Sequence, residues 1–298
     1  MRYTILSFSF LLFLLSFSSP ASAWDDFLGV RPMGMGGAHS AVVTGNDAIF
    51  LNPAGMALFR RYSFETQYLL TPEFGVEGGP MEHVFNVSVV DNQITPVATG
   101  ISYTRIERDD AKRGNRYDMA FGYALGQNLM IGTNVKYLNY EREGREDLDA
   151  VTMDFGMLMR FDFGVSIGLV GYNLTNTGDY LEHPISMAAA VSFSPFRTLS
   201  LAFDWMINFQ KPDEAADALG EKGTGYAYRF GAEYLLMDQL LLRAGAVIDQ
   251  TRPESDQYGW SAGIGYITKT FGIGFSYQQS FEHSWDGTFG IGLRLHML

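Results

Sequence analysis

The chain has 298 residues, no cysteine and a formal net charge of −12. Without cysteine there is no disulfide, no thiolate metal site and no lipidated N-terminus, so stability rests on hydrogen bonding and packing. The acidic balance leaves no basic stripe with which to displace phosphate counterions, and this sets nucleic acid aside as a partner.

Residues 1–23 carry Arg2, an apolar run from Ile5 to Phe17, and Ala21-Ser22-Ala23 ahead of Trp24. That order reads as a secretory signal peptide cleaved after Ala23. The run is shorter than the roughly 20 residues that a spanning helix needs, and no later stretch is continuously apolar at that length. The mature chain is therefore expected to have no transmembrane helix.

Residues 24–59 form the next unit, centred on Arg31–Leu58, which neither alternates like a strand nor reads as a simple turn. Asn52 and Pro53 predict a helix start, because the Asn side chain can accept from an orphan N–H and Pro at the first position gives up no bond. Gly34, Gly36, Gly37, Gly45 and Gly55 permit tight reversals and close backbone contact. The segment is too apolar for a free tail and reads as a plug, or hatch, inside a barrel. Met33, Met35, Ile49, Phe50, Leu51 and Met56 are its candidates for lining a greasy substrate pocket.

From Tyr62 the apolar residues recur at every second position, the period of a strand with one buried and one wet face. Fourteen such segments follow one another to Met297, which predicts an all-β, 14-stranded antiparallel transmembrane barrel over residues 60–298. Their connections alternate strictly. Those near Asp91–Thr95, Gly126–Asn128, Phe161–Phe163, Ser194–Arg197, Met237–Asp238 and Thr268–Thr270 are short. Those between them, such as Thr71–Glu82, Glu141–Asp149 and Gln210–Thr224, are long and charged, as in outer-membrane barrels with periplasmic turns and extracellular loops. The opposite strand faces are polar or very small, which places the apolar face in lipid. Inward charges Asp154, Arg160, Asp204, Arg229, Glu233, Arg243 and Arg294 are expected to pair in a wet lumen or to line a selective pore. The glycines of the last three strands should leave a recess for the plug.

Met33-Gly34-Met35-Gly36-Gly37-Ala38, followed by Asn46-Asp47-Ala48-Ile49-Phe50-Leu51-Asn52-Pro53-Ala54-Gly55, resembles the N-terminal signature of the FadL superfamily of outer-membrane transporters and its shorter PorV/PorQ-like branch. Val170-Gly171-Tyr172-Asn173-Leu174 and Pro184 resemble recurring features of that branch. The resemblance implies a bacterial outer-membrane barrel whose hatch, bearing Gly34, Gly36, Gly37 and the Asn52-Pro53-Ala54-Gly55 turn, blocks the lumen. It also implies a hydrophobic small molecule that leaves sideways at the third strand. Pro96 and Gly100 are the candidates for that exit, since Pro cannot donate to a ladder and Gly weakens a strand interior. A docking platform for exported or surface proteins, built on the loops at Thr71–Glu82 and Gln210–Thr224, is the alternative, and an unplugged porin is the third.

No cofactor is expected. The glycines of 34–37 lack the Lys-Ser/Thr of a phosphate loop, and His39, His83, His183, His283 and His296 have no metal-ligand spacing. His283-Ser284 near Asp286 is the sole hint of a nucleophile, and a solvated loop explains it, so an enzyme is not expected.

Overall fold

The computed structural model describes residues 29–297 apart from 73–80, 109–111, 143–145, 176, 178–182, 212–222, 252–256 and 282–286. The signal-peptide reading at 1–23, most of the two long loops proposed for docking, and the His283-Ser284 pair with Asp286 lie outside the described residues.

Fourteen strands follow the lumenal segment: β1 (Tyr62–Pro72), β2 (Met81–Asp91), β3 (Val97–Arg108), β4 (Lys112–Ala124), β5 (Leu129–Arg142), β6 (Leu148–Arg160) and β7 (Val165–Tyr172), then β8 (Ser186–Phe196), β9 (Leu199–Lys211), β10 (Gly223–Leu236), β11 (Leu240–Asp249), β12 (Gln257–Ile267), β13 (Phe271–Ser280) and β14 (Gly287–Met297). Each pairs with its sequence neighbours, and β14 closes on β1 to complete the barrel. Closure removes the open edges that a sheet otherwise presents, so each strand has a hydrogen-bonded neighbour on both sides. The β1–β14 rungs run antiparallel, with Glu65 opposite Arg294 and Ser63 opposite His296.

The period-two pattern explains which face each residue takes. In β3, Ile101 is 59% exposed on the outside while its neighbours Gly100 and Ser102 are buried inside. Phe155, Phe230, Phe275 and Ile291 are likewise exposed on the outside. An apolar exterior of this extent is stable only against hydrocarbon, where a charge costs roughly 2–4 kcal/mol at mid-depth. Rings meet across successive strands, Tyr103 tilted against Tyr117 at 5.3 Å, Tyr117 stacked on Tyr137 at 6.0 Å, and Tyr277 tilted against Phe289 at 4.7 Å. Their ring bodies pack apolarly while the tyrosine hydroxyls suit a polar interface.

The interior departs from the sequence reading in one respect. At the long-loop end of β1–β6 the inward face is not polar or small: Leu69, Val84, Ile106, Leu138, Tyr140 and Leu148 are buried there in one continuous cluster. The Tyr140 ring lies across bare Gly114 on β4, where a Cβ would come within 2.0 Å of it. Elsewhere the inside mixes apolar residues such as Met130, Leu158 and Val170 with polar ones, among them Arg116 paired to Asp118 at 2.9 Å and Lys136 to Asp154 at 2.7 Å.

Residues 29–59 sit in the lumen. They comprise helix α1 (Val30–Met33), a 3-10 turn at Gly45–Asp47, helix α2 (Ala48–Leu51) and a 3-10 helix at Pro53–Leu58. Such short pieces cannot hold themselves together. Their shape is set by the wall around them.

Candidate functional site

The lumenal segment meets the inner face of each of the fourteen strands. Asn52 begins the 3-10 helix as the sequence predicts: its Oδ1 accepts from the Ala54 N–H at 3.2 Å, with Pro53 at the first position. Its amide nitrogen donates to Ser40 O and to Met157 O on β6, at 3.0 and 3.1 Å. One side chain thus caps a helix, folds the segment on itself and ties it to the wall.

The seat is a belt of small residues rather than the three-strand recess expected. A Cβ on Gly132 would stand 2.4 Å from the Pro53 carbonyl carbon, one on Gly168 2.7 Å from Ser40 O, one on Gly231 2.7 Å from Met35 O, and one on Gly245 2.1 Å from Gly36 N. In register, Gly132 opposes Gly122 and Gly156, and Gly231 opposes Gly245. The bare backbones therefore face each other around the barrel at the height of the segment. Gly36 adds a conformational requirement of its own, with φ of +63° and Ala246 N and O both 2.8 Å from where a Cβ would sit. Any side chain there would be strained as well as crowded.

Charge completes the seat. Arg31 and Asp47 are the two charged residues between positions 29 and 59, if histidine is taken as neutral. A buried charge must be paired. Arg31 forks onto Glu233 through Nε at 2.9 Å and Nη2 at 2.6 Å, and Glu233 also accepts from Arg243 Nε at 2.7 Å. Asp47 accepts from Arg294 Nη2 at 2.7 Å, and Arg294 bonds Glu65 at 2.6 Å. Asp204 accepts from the backbone N–H groups of His39 and Ser40, at 3.2 and 2.9 Å. Further ties run from Val30 N to Gln67, from Ser276 Oγ to Val30 O, from Gly36 N to Ser261, from Ser63 Oγ to Asn46 Oδ1, from Asn46 Nδ2 to Ser88, from the Tyr172 hydroxyl to Leu51 O, and from Asn92 to Met56 O and Phe59 O.

His39 is fully buried with neither ring nitrogen hydrogen-bonded. Burial, reinforced by the Arg31 charge, holds its pKa well below the ordinary value, so the ring is neutral.

Among the residues expected to form a greasy pocket, Met33, Ile49, Phe50, Leu51 and Met56 join the apolar lumenal cluster with Leu69, Val84, Ile106, Leu138 and Tyr140. Met35 does not; it packs on Ala38 and Ala202 across the barrel. Ala54 packs against Met130 and Leu158. Of the expected lumen charges, Arg160 instead lies exposed at the short-turn end, its guanidinium 5.8 Å over the Phe59 ring. Arg229 is buried on β10 opposite Asp204. Gly34 packs against β12 and β13, where a Cβ would meet Ser276 Oγ at 2.7 Å, and Gly55 against Val43. The left-handed φ of +78° at Gly37 turns the chain after α1.

At β3, where Pro96 and Gly100 are expected to weaken pairing, the ladder is continuous. Pro96 lies in the turn before the strand, and Gly100 pairs with both Val90 and Ala120 in an unshifted ladder. Its missing side chain makes room for Ile49 and Met56, whose atoms would be 2.8 Å from a Cβ. Glu233 and Arg294 were expected in the lumen but not as partners of the segment, and Glu65 was not singled out in sequence. The available signal was the isolation of Arg31 and Asp47 in an otherwise uncharged segment.

No family model and no curated protein matches the sequence. By fold, the chain is similar to the Ralstonia pickettii toluene transporter TbuX, with a TM-score of 0.67, 12% identity, and 92% of this chain and 98% of that one covered. It is also similar to a Pseudomonas aeruginosa FadL homologue, at 0.62 and 14% over 90% and 97%, and to the Pseudomonas putida toluene transporter TodX, at 0.65 and 14% over 92% and 99%. At these identities the likeness is one of fold: a closed barrel shared along nearly its whole length. TbuX and TodX are transporters, not enzymes.

Proposed function

We propose that the protein is a bacterial outer-membrane channel for hydrophobic or amphipathic small molecules, closed by a hatch of residues 24–59, with its short turns in the periplasm. The observation that carries this reading is the continuous apolar cluster inside the long-loop end of the barrel. Water alone gives no reason for Leu69, Val84, Ile106, Leu138 and Leu148 to face inward. An apolar solute entering from the long-loop end meets these residues first and then Phe50 and Ile49 of the hatch. Binding there draws on the same burial of apolar surface that holds the empty site closed. The similar fold of two toluene transporters supports the substrate class.

The same reading assigns the exit to the start of β3, at Pro96 and Gly100. Ile49 and Met56 cover Gly100 from within, so opening there and movement of the hatch are a single event. The docking-platform alternative rests on segments outside the described residues, and no described feature favours it.

Uptake of a labelled monoaromatic hydrocarbon into liposomes tests the proposal. The intact protein should speed uptake over protein-free vesicles, and Ile106→Asn with Leu138→Asn should abolish the gain while the barrel keeps its heat-modifiable migration. Equal uptake by the well-folded double variant would remove the apolar cluster from the substrate path.

A further inference from the structure

A cavity of about 630 Å³ opens at the short-turn end beneath the lumenal segment. It borders the apolar cluster at Val30 but, unlike that cluster, is rich in charged side chains. Seven cations line it, and its two carboxylates, Glu65 and Glu233, are already held by Arg294 and by Arg31 with Arg243. Arg60, Arg61, Arg197 and Lys269 make no side-chain hydrogen bond or ion pair among the described residues. Arg61 is stacked 5.2 Å over the Phe59 ring, and Arg160 approaches that ring at 5.8 Å. Burial, then the charges of Arg294 and Arg31, push the Arg61 pKa below its ordinary value, as expected of a cation crowded by cations. In a chain of net charge −12 this concentration of uncompensated positive charge is local and specific.

We propose that this mouth is a binding site for a phosphate group, carried either on a lipid head or on a free phosphate compound. A lone carboxylate answers one unpaired cation; a phosphate monoester carries close to two negative charges and three acceptor oxygens, and the diester of a lipid head carries one charge and two free oxygens. Guanidinium groups present planar donor forks that match phosphate oxygens, and Lys269 adds a compact point charge. Leu235, Leu241 and Ile273 along the cavity wall accept an apolar body attached to the phosphate. The site does not depend on the transport reading, because it is built from the wall and the end of the segment whatever passes above.

The test uses the full mature protein in a neutral maltoside detergent, titrated by calorimetry with inorganic pyrophosphate, short-chain phosphatidylglycerol and octanoate. Arg61→Gln with Arg197→Gln and Lys269→Gln should weaken phosphate binding by roughly tenfold or more, since each lost charge-assisted contact contributes on that scale. Arg197→Gln with Lys269→Gln alone, both on exposed turns, should give a smaller loss in a protein of unchanged thermal stability. Saturable pyrophosphate binding identifies a free phosphate compound as the source; binding of phosphatidylglycerol without pyrophosphate identifies a lipid head. Octanoate binding as tight as phosphate, phosphate binding unchanged in the triple variant, or no binding by either phosphate probe would overturn the assignment.

Discussion

The side of the lumen built by β9–β14 with β1 and the side built by β3–β6 hold the same segment by different physics. On the first, wall charges reach the hatch: Glu233 holds Arg31, Arg294 holds Asp47, and Asp204 accepts from the backbone at 39 and 40. On the second, wall charges pair with each other, Lys136 with Asp154 and Arg116 with Asp118, although Arg116 also stacks over Phe50 at 5.4 Å. What otherwise meets the hatch there is glycine, hydrocarbon and the Met157 carbonyl that accepts from Asn52. A buried ion pair adds little net stability while intact and costs much when one partner is lost, whereas apolar contacts can be vacated and refilled by another apolar body. The first side is a latch, and the second is a seat that doubles as a binding surface.

Filling the seat should have the largest effect. Gly245→Val would drive a side chain into the backbone at Met35 and Gly36, which a Cβ alone would approach to 2.2 and 2.1 Å. The hatch cannot dock over it. Planar-bilayer recordings should change from a closed barrel to a stable ion-conducting one. A variant that remains closed would mean that the glycine belt does not position the hatch.

Breaking the latch comes next. Arg294→Met strands Asp47 and Glu65 without a cation and should cost about 3–5 kcal/mol, the usual penalty for an orphaned buried partner. Lys136→Met strands Asp154 on the wall, away from the hatch. Hydrogen exchange over residues 45–51 should accelerate in the first variant and stay unchanged in the second. Equal acceleration in both would erase the distinction between the two sides.

A smaller, pH-dependent effect belongs to the latch side. His39 is held neutral by burial, so its folded pKa lies below the ordinary value of about 6.5. As the pH falls below that value, the unfolded chain takes up a proton that the folded chain refuses. Stability should therefore decline on acidification by roughly 1.4 kcal/mol per pH unit, until the depressed pKa is reached. Thermal unfolding of wild type and His39→Gln between pH 7 and 5 isolates this share, and the wild type should lose more. Parallel curves would remove His39 from the account.

Much of this fold was legible because a barrel wall repeats one local rule. Alternation from Tyr62 onward and the strict order of short and long connections were sufficient for fourteen strands and their facing. The start at Asn52 and Pro53 was legible for the same reason, being a matter of two adjacent residues. The latch was not, because Arg31 and Glu233 are 202 positions apart and Asp47 and Arg294 are 247 apart; closure of the ring brings them together. The apolar lumenal row was hidden differently. Leu69 beside Leu70, and Leu138 beside Tyr137, put apolar residues on both faces at once, and a period of two assigns only one of them to lipid. The packing of Ile49 and Met56 over Gly100 was not legible for want of a third dimension. A glycine that loosens a strand and one that clears space for a neighbour look the same in sequence.

The central claim is that solute passes only when the hatch leaves its seat. Because the chain contains no cysteine, a single engineered pair can lock the hatch without competing disulfides. Asn46 on the hatch and Ser63 on β1 have side chains hydrogen-bonded to one another, so Asn46→Cys with Ser63→Cys places two thiols in contact. Hydrocarbon uptake into liposomes should fall to the protein-free rate when this pair is oxidised and return when it is reduced. The same uptake in the oxidised, verified cross-linked protein as in the reduced one would contradict the account.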